Sequence, residues 1–465
     1  MSTETIAAIA TSLSEAGISI IRISGPECRS IVDHIFVSKN GKKVSEFSSH
    51  TIHYGMIYEN RYPVDEVLVS FFKGPNSFTA EDTVEINCHG GVVVTKKVLQ
   101  LVLRHGARLA MPGEFTKRAF LNGRIDLTKA EAVMDIIHAD NELALELSMK
   151  QLKGSVSKKI NEIREKIIYE IAFIESALDD PEHISLDGYS LKLKKIILSL
   201  LEELKKLEKS ADNGKIIKQG IQTVIVGKPN AGKSSFLNLL LGEEKAIVTD
   251  IAGTTRDILE DYVTIDNISF HVIDTAGIRK TEDVVEKIGV SKAIQSIDEA
   301  DLLLFIVDSS IPLDENDKEI IRLSAGKKMI VLLNKTDLQT VINEKEMKEI
   351  LLQQNHHADE FRFIKISAKE KIGLDRFEEI VKEMFFHGEL EVKDEVMLSN
   401  IRQKEAVIDA IESLTYVLDS IDKLMPEDFL TIDLMNAYTS LGKIIGEEVG
   451  EDLINEIFSK FCMGK

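Results

Sequence analysis

The chain has 465 residues, of which 44% are hydrophobic, 77 are acidic and 57 are basic, so its formal net charge is −20. Domains of roughly 100–200 residues are usual, and we expect three domains in a chain of this length. The negative charge repels nucleic acid at long range, so an activity on RNA would need a basic patch or a partner. The cysteines Cys28, Cys88 and Cys462 are far apart and form no CxxC pair, which argues against a disulfide framework and a zinc site. We expect a soluble, cytoplasmic protein, because neither a leader nor an apolar run of about 18 residues is evident.

Residues 1–120 predict a small α+β domain. Short apolar runs lie at 18–23, 67–72 and 84–86. Turn signals such as Gly74-Pro75-Asn76 separate these runs, as is typical of short strands.

The rest of the chain alternates between two patterns. At 121–217 and 383–465 apolar residues recur at helical spacing, which predicts long amphipathic helices with a break at Asp179-Asp180-Pro181. At 218–382 apolar runs alternate with helical segments, which predicts a mostly parallel sheet with helices on both faces. The predicted strands are Thr223–Val226, Phe270–Ile273, Leu302–Val307, Met329–Leu333 and Phe363–Ile366. We therefore expect an α/β domain inserted into a helical domain.

A phosphate-loop pattern opens the α/β segment. Residues 227–234 read Gly-Lys-Pro-Asn-Ala-Gly-Lys-Ser, after a predicted strand and before a predicted helix, Ser235–Leu241. Glycines let main-chain N–H groups point at phosphate oxygens, and the helix N-terminus adds favourable partial charge. We expect Lys233 to reach the β- and γ-phosphates and Ser234 to hold magnesium, while this pattern alone leaves ATP open. The predicted contacts are Asn230, Ala231, Gly232, Lys233, Ser234 and Ser235.

Three later motifs identify the nucleotide as GTP. Asp274-Thr275-Ala276-Gly277 ends a strand, which places the carboxylate near a magnesium-bound water and the Gly277 N–H near the γ-phosphate. In Asn334-Lys335-Thr336-Asp337, the Asp337 carboxylate can accept from guanine N1–H, whereas adenine has no proton there. Ser367-Ala368-Lys369 follows one more strand and would offer a main-chain N–H to the guanine oxygen. The order and spacing of all four motifs exclude accidental turns.

Residues between these motifs predict a switch and a catalytic group. In Gly253-Thr254-Thr255-Arg256-Asp257, a hydroxyl can complete the magnesium shell only while the γ-phosphate is present, and Thr255 is our candidate. By themselves, two adjacent threonines are typical of a solvated loop. Ras-like proteins place a water-orienting glutamine after the Asp-x-x-Gly glycine, but Ile278 stands there in this chain. A polar group from elsewhere is therefore needed, and the charged segment 279–288 is the first place to look.

Sequence features along the whole chain resemble those of the tRNA modification GTPases called MnmE or TrmE. They are the phosphate loop, the switch at 250–257, the stretch Thr5-Ile6-Ala7-Ala8-Ile9-Ala10-Thr11 and the ending Phe461-Cys462-Met463-Gly464-Lys465. The Cys-x-Gly-Lys ending is specific, since related GTPases with this switch sequence lack it. The resemblance implies a dimerising tetrahydrofolate-binding domain at 1–120, a helical domain from 121–217 and 383–465, and a GTPase domain at 218–382.

The resemblance also implies partners and cofactors. It implies a homodimer that joins an FAD-dependent MnmG-type protein in a heterotetramer and modifies C5 of the tRNA wobble uridine with an aminomethyl- or carboxymethylaminomethyl-type group. The implied one-carbon donor is a tetrahydrofolate derivative in the 5-formyl or methylene form. GTP hydrolysis is implied to start when two G domains meet in the presence of potassium, a cation that can neutralise transition-state charge as an arginine finger would.

The resemblance assigns roles to individual positions. Ser234 and Thr255 are implied to bind magnesium. Glu286 matches the family's water-orienting glutamate; without the resemblance it would be interpreted as a solvated surface charge. The potassium ligands are implied to be Asn230, Thr249, Ile251 and Thr254. The switch contacts also include Asp250, Ala252 and Gly253. The folate contacts are Arg22, Glu85, Arg124 and Lys465. Two positions depart from the family: its Pro-Pro-Gly-Arg-Gly-Gly loop is Ser12-Leu13-Ser14-Glu15-Ala16-Gly17 here, and a usual lysine is Arg124.

Some alternatives remain open at the level of sequence. Cys462 is either a nucleophile near the folate or a buried structural thiol, and the second interpretation is favoured because no basic partner is identifiable. His89, beside Gly90-Gly91, is interpreted as a turn or core histidine rather than a metal ligand. The alternative functions are a regulatory or ribosome-assembly GTPase without folate chemistry and a structural dimeric scaffold.

Overall fold

A computed structural model describes residues 4–242, 247–248, 260–265, 268–274, 296–386, 396–447, 449–461 and 464. The chain divides into two compact units. The first comprises Met1–Met134, Gln151–Ile197 and Glu412–Lys465. The second comprises Asp135–Lys150 and Leu198–Ile411.

A seven-stranded sheet forms the N-terminal part of the first unit. Its spatial order is β3-β4-β5-β6-β2-β1-β7, and β1 and β7 form its parallel pair. Along β5, the buried Val67, Val69 and Phe71 alternate with the exposed Leu68, because successive side chains of a strand face opposite sides. The strands are β1 Ile6–Ile9, β2 Ala16–Ser24, β3 Phe36–Ser38, β4 Thr51–Glu59, β5 Tyr62–Phe72, β6 Thr83–Gly90 and β7 Arg108–Leu109.

Helices α1 and α2 pack on one face of this sheet. Helix α2 buries Val98, Leu101 and Val102 in the same apolar cluster as β5. The first helices are α1 Cys28–Asp33, α2 Val92–Arg104, α3 Glu114–Leu121, α4 Leu127–Ile137, α5 Glu142–Leu152, α6 Ser155–Asp179 and α7 Tyr189–Gln219. The end of α6 confirms the predicted break before Pro181.

The second unit contains the predicted α/β sheet. Its order is β14-β13-β12-β8-β11-β10-β9, and the five strands from β14 to β11 run parallel. The sequence analysis did not predict β10, which is antiparallel to both of its neighbours. The strands are β8 Ile221–Val226, β9 Ile247–Val248, β10 Glu260–Ile265, β11 Ile268–Asp274, β12 Leu302–Asp308, β13 Met329–Asn334 and β14 Phe361–Lys365.

The central strands of this sheet are buried on both faces. Every residue of β12 and β13 is buried, as expected of parallel strands that helices cover on both sides. The helices are α8 Lys233–Leu241, α9 Glu315–Leu323, α10 Glu344–Gln353 and α11 Leu374–Phe386, followed by α12 Ile401–Asp422, α13 Glu427–Ile445 and α14 Glu451–Ser459. Helix α8 begins two residues earlier than its predicted start at Ser235. Over the described ranges, none of these helices combines the length and the apolar character needed to cross a bilayer.

Candidate nucleotide site

The loop between β8 and α8 has a backbone that requires glycine at two positions. Gly227 has a φ of +145°, and a Cβ placed there would lie 2.3 Å from the carbonyl oxygen of Ile306. Gly232 has a φ of +107°, and its Cβ would lie 2.1 Å from Nδ2 of Asn334. Both φ values lie where L side chains are strained. The loop is therefore narrow and shaped by its main chain, as a phosphate cradle must be.

The start of α8 is available to an anion. Gly232 is its N-cap, and no described side chain caps the first helical amides. Uncapped amides at a helix N-terminus carry partial positive charge and bind phosphate. Ser234 and Ser235 are exposed beside them, and Asn230 lies in the loop with a φ of +63°. The donors present fit a nucleotide phosphate.

Lys233 lies folded against its own loop. Its ammonium donates hydrogen bonds to the carbonyl oxygens of Gly227 and Lys228, each over 2.8 Å. The charge is therefore held above the cradle, within reach of phosphates that enter it.

Asn334 joins the phosphate loop to the two guanine-recognition loops. Its Nδ2 donates to the Ala231 carbonyl over 2.8 Å, and its Oδ1 accepts from the Ala368 main-chain N–H over 3.1 Å. The side chain is only 3% exposed. This amide brings together three of the motifs, since it contacts Ala231, 103 residues before it, and Ala368, 34 residues after it.

Asp337 presents its carboxylate beside this junction. Ser367 donates a hydrogen bond to its Oδ1 over 2.7 Å, while Asp337 and Lys369 are exposed. The Ser367 hydrogen bond and the nearby Lys369 and Lys335 hold the pKa of Asp337 below its usual value. The carboxylate is therefore charged at neutral pH and has the chemistry needed to accept from guanine N–H groups.

The remaining predicted contacts divide between a described strand and residues outside the description. Asp274 ends β11, opposite Ile225 of the neighbouring β8, so its main chain lies beside the strand that leads into the phosphate loop. The other predicted residues of the switches, potassium site and catalytic centre lie outside the described residues. They are Thr249, Asp250, Ile251, Ala252, Gly253, Thr254, Thr255, Thr275, Ala276, Gly277, Ile278 and Glu286.

Sequence reasoning missed Asp308, which ends β12. Lys335 lies in the left-handed region with a φ of +64°, and its ammonium is 2.5 Å from Asp308 Oδ2. Burial raises the pKa of Asp308, but hydrogen bonds from Lys335 and Ser310 outweigh this and leave it below its usual value. A signal existed, since Asp308 ends a buried strand just as Asp274 does.

A cluster of charged side chains in the first unit contains three of the four predicted folate contacts. Arg22 and Glu85 are paired across β2 and β6, with Nε and Oε1 2.8 Å apart. The guanidinium groups of Arg22 and Arg124 lie 5.0 and 5.1 Å from the centre of the Phe78 ring. Arg124 also donates to the Phe78 carbonyl over 2.7 Å. We call this group the arginine cluster; the fourth predicted contact, Lys465, lies outside the described residues.

Phe78 was not predicted, because a single phenylalanine between turns carries no signal of its own. In the described part of the chain Arg124 has no ion pair, so the cluster keeps a positive charge beside an aromatic ring. That combination suits an anionic, planar ligand such as a folate.

The other flagged side chains have ordinary environments. His89 lies in β6, exposed rather than in the predicted turn or core, and its Nδ1 is 2.6 Å from Asp65. Burial raises the pKa of Cys28 to about 12 and also raises that of Cys88, so both thiols are unreactive at neutral pH. Cys462 lies outside the described residues.

A mostly parallel sheet, a phosphate loop after its first strand and a guanine-recognition loop joined to it by Asn334 define a P-loop GTPase. Comparison with protein families agrees. Residues 5–124 match the family described as the GTP-binding protein TrmE N-terminus, and residues 127–462 match the MnmE helical domain.

Whole-length relatives point to the same family. The chain is 54% identical to the tRNA modification GTPase MnmE of Lachnoclostridium phytofermentans over 100% of both chains. It is 47% identical to the same protein of Alkaliphilus oremlandii over 99% of both. A solved structure of an Aquifex aeolicus Era variant bound to GDP·AlF4⁻ is 30% identical, covering 41% of this chain and 65% of its own, with a TM-score of 0.27. The chain belongs to the MnmE family of tRNA modification GTPases, so the predicted family, fold class and enzyme class are confirmed.

Proposed function

We propose that this chain is the GTP-hydrolysing subunit of a complex that modifies C5 of the tRNA wobble uridine, with a tetrahydrofolate derivative as one-carbon donor and an FAD-dependent MnmG-type protein as partner. The observation that carries the proposal is the Asn334 junction, which holds the phosphate loop and the guanine-recognition loops in one site. Family membership links that site to tRNA modification.

The arginine cluster supports the folate part of the proposal. It offers two guanidinium groups, each of which lies about 5 Å from the centre of the same aromatic ring. Arg22, Glu85, Arg124 and Lys465 are the proposed contacts. The net charge of −20 opposes the binding of nucleic acid at long range. The tRNA is therefore proposed to bind mainly through the complex, in the cytoplasm.

An exposed apolar face supports the proposed homodimer. On the face of β3, β4 and β5 opposite the helices, Val37, Ile52, Tyr54 and Leu68 are between 43% and 66% exposed. Tyr54 and Leu68 are direct partners across β4 and β5, and Val37 pairs with Met56 on the same face. An exposed sheet face rich in large apolar side chains is typical of a surface that a second copy covers.

For hydrolysis, we propose that Lys233 binds the β- and γ-phosphates and that Glu286 orients the attacking water. Ser234 and Thr255 would hold magnesium, and Asn230, Thr249, Ile251 and Thr254 would hold potassium; these cations supply positive charge to the transition state. Glu286→Ala should cut potassium-stimulated turnover by roughly 10²–10⁴ and leave GTP affinity within a few-fold of wild type. Single-turnover rates near wild type would assign the water to another residue.

Two measurements test the proposal as a whole. Mass spectrometry of wobble nucleosides from a deletion strain should show loss of the C5 modification; unchanged nucleosides would favour a regulatory or ribosome-assembly GTPase. Turnover of the purified chain should rise far more with potassium than with sodium at matched ionic strength. Equal rates in the two salts would contradict the potassium site.

A further inference from the structure

The phosphate loop is tied to a neighbouring helix by a charged group that the nucleotide motifs do not include. Lys228, the second residue of the loop, extends its ammonium to the N-terminus of α9. There it lies 2.7 Å from Asp317 Oδ2 and 3.2 Å from Asp314 Oδ2. Lys228 is 12% exposed and Asp317 is 1% exposed, so their ion pair is largely buried, whereas Asp314 is 51% exposed.

The two carboxylates are themselves fixed in place. Asp314 is the N-cap of α9 and accepts from the main-chain N–H groups of Asn316 and Asp317, while the Asp314 N–H donates to Asp317 Oδ2. Burial lowers the pKa of Lys228, but its hydrogen bonds with Asp317 and Asp314 more than offset this and raise it. The ammonium therefore stays charged and has a rigid partner.

The main chain of Lys228 leads to the phosphate-binding lysine. The Lys228 carbonyl accepts from the Lys233 ammonium over 2.8 Å, so the placement of Lys228 sets the placement of Lys233. The second oxygen of Asp317 has no hydrogen-bond partner among the described atoms. This carboxylate is thus buried with Lys228 as its main source of compensation, and the pair resists being broken.

We propose that Asp317, through Lys228, is a positioning residue that holds the phosphate loop in its binding conformation before the nucleotide arrives. Lys228 acts as a tether and not as a phosphate ligand, because its ammonium is directed into the protein. Without Asp317 or Lys228, the phosphate loop leaves its binding conformation, and nucleotide binding must then order the loop. The affinity falls, while the chemical step in the filled site is left nearly unchanged.

The direction in which one substitution changes nucleotide affinity distinguishes this positioning role from direct phosphate binding. Asp317→Asn removes the negative charge that faces Lys228, while an oxygen in the place of Oδ2 can still accept from the Asp314 N–H. A phosphate-binding lysine would then bind nucleotide more tightly, whereas a lost tether weakens binding. We expect Asp317→Asn and Lys228→Met each to raise the Kd of fluorescent mant-GTP and mant-GDP about 10-fold in the full chain, with kcat at saturating GTP within about 3-fold. Lys228→Arg should restore most of the affinity.

A matched control is available in the same unit. Lys218 Nζ lies 2.5 Å from Asp135 Oδ1, with side-chain exposures of 23% and 7%, and neither residue belongs to a nucleotide loop. Asp135→Asn should lower the melting temperature without changing the Kd for mant-GTP. Unchanged or tighter binding by Asp317→Asn would overturn the proposal. If Asp317→Asn fails to fold, equal Kd values of Lys228→Met and Lys228→Arg for mant-GTP would overturn the proposal. Absence of GTP binding by the wild-type chain would instead contradict the proposed function.

Discussion

At the nucleotide site, the main chain around Gly227 and Gly232 shapes the cradle, and one amide, Asn334, joins its parts. The arginine cluster is made of side chains from β2, β6 and the loop after α3, with Phe78 beside its two arginines. A site made of main chain tolerates almost no added volume. A site made of flexible side chains loses less affinity when one of them is removed. Four predictions test this difference, in order from the largest expected effect to the smallest.

Gly227→Ala should produce the largest effect. The added methyl would meet the Ile306 carbonyl oxygen at 2.3 Å, and the φ of +145° is strained for alanine. The loop must therefore move, and we expect mant-GTP affinity to fall at least roughly 100-fold, about 3 kcal/mol. Fluorescence titration checks this loss, with circular dichroism to show that the chain is folded. Affinity within 10-fold of wild type would mean that the cradle is more adaptable than its backbone indicates.

Asp337→Asn tests the base-recognition end of the same site. An amide can donate to the xanthine carbonyl that replaces the guanine amino group, whereas it leaves the guanine donors poorly matched. We expect GTP affinity to fall roughly 100-fold and the preference to shift towards xanthosine triphosphate. Competition titrations with the two nucleotides measure the shift. An unaltered preference for GTP would place the base pocket elsewhere.

Phe78→Ala should have a moderate effect, confined to the first unit. The ring contacts two guanidinium groups, and each cation–π contact contributes on the order of 0.5–2 kcal/mol. We expect the affinity for 5-formyltetrahydrofolate to fall about 10-fold in calorimetry, with GTP affinity unchanged. Equal folate binding by variant and wild type would remove Phe78 from the site. A wild-type chain that binds no folate would show that the altered loop Ser12–Gly17 has abolished the site.

Gly17→Ala should have the smallest effect and completes the comparison of glycines. A Cβ at Gly17 meets nothing within 4 Å, and its φ lies outside the left-handed region. Both folate and GTP affinity should stay within about 2-fold of wild type in the same titrations. A large loss of folate affinity would show that the ligand itself approaches this glycine closely, as the family's glycine-rich loop would require.

The sequence alone determined the parts of this protein whose chemistry lies in short contiguous segments. The phosphate loop, the Asp337 loop and the parallel sheet could be predicted because glycine spacing, strand-ending polar residues and apolar periodicity act over a few neighbouring residues. Resemblance to the MnmE family supplied Arg22, Glu85 and Arg124, but not Phe78, whose ring lies near both arginines.

Only the tertiary structure decided which distant side chains meet. Three groupings bring together residues that are far apart along the chain: Asp308 with Lys335, Asp317 with Lys228, and Phe78 with two arginines. The carboxylates of Asp308 and Asp317 are buried, so each needs a cation within the fold to compensate its charge. Local sequence patterns do not show which residues form such pairs. The ion pair between Lys228 of the phosphate loop and Asp317 of α9 depends on how that helix packs in the fold.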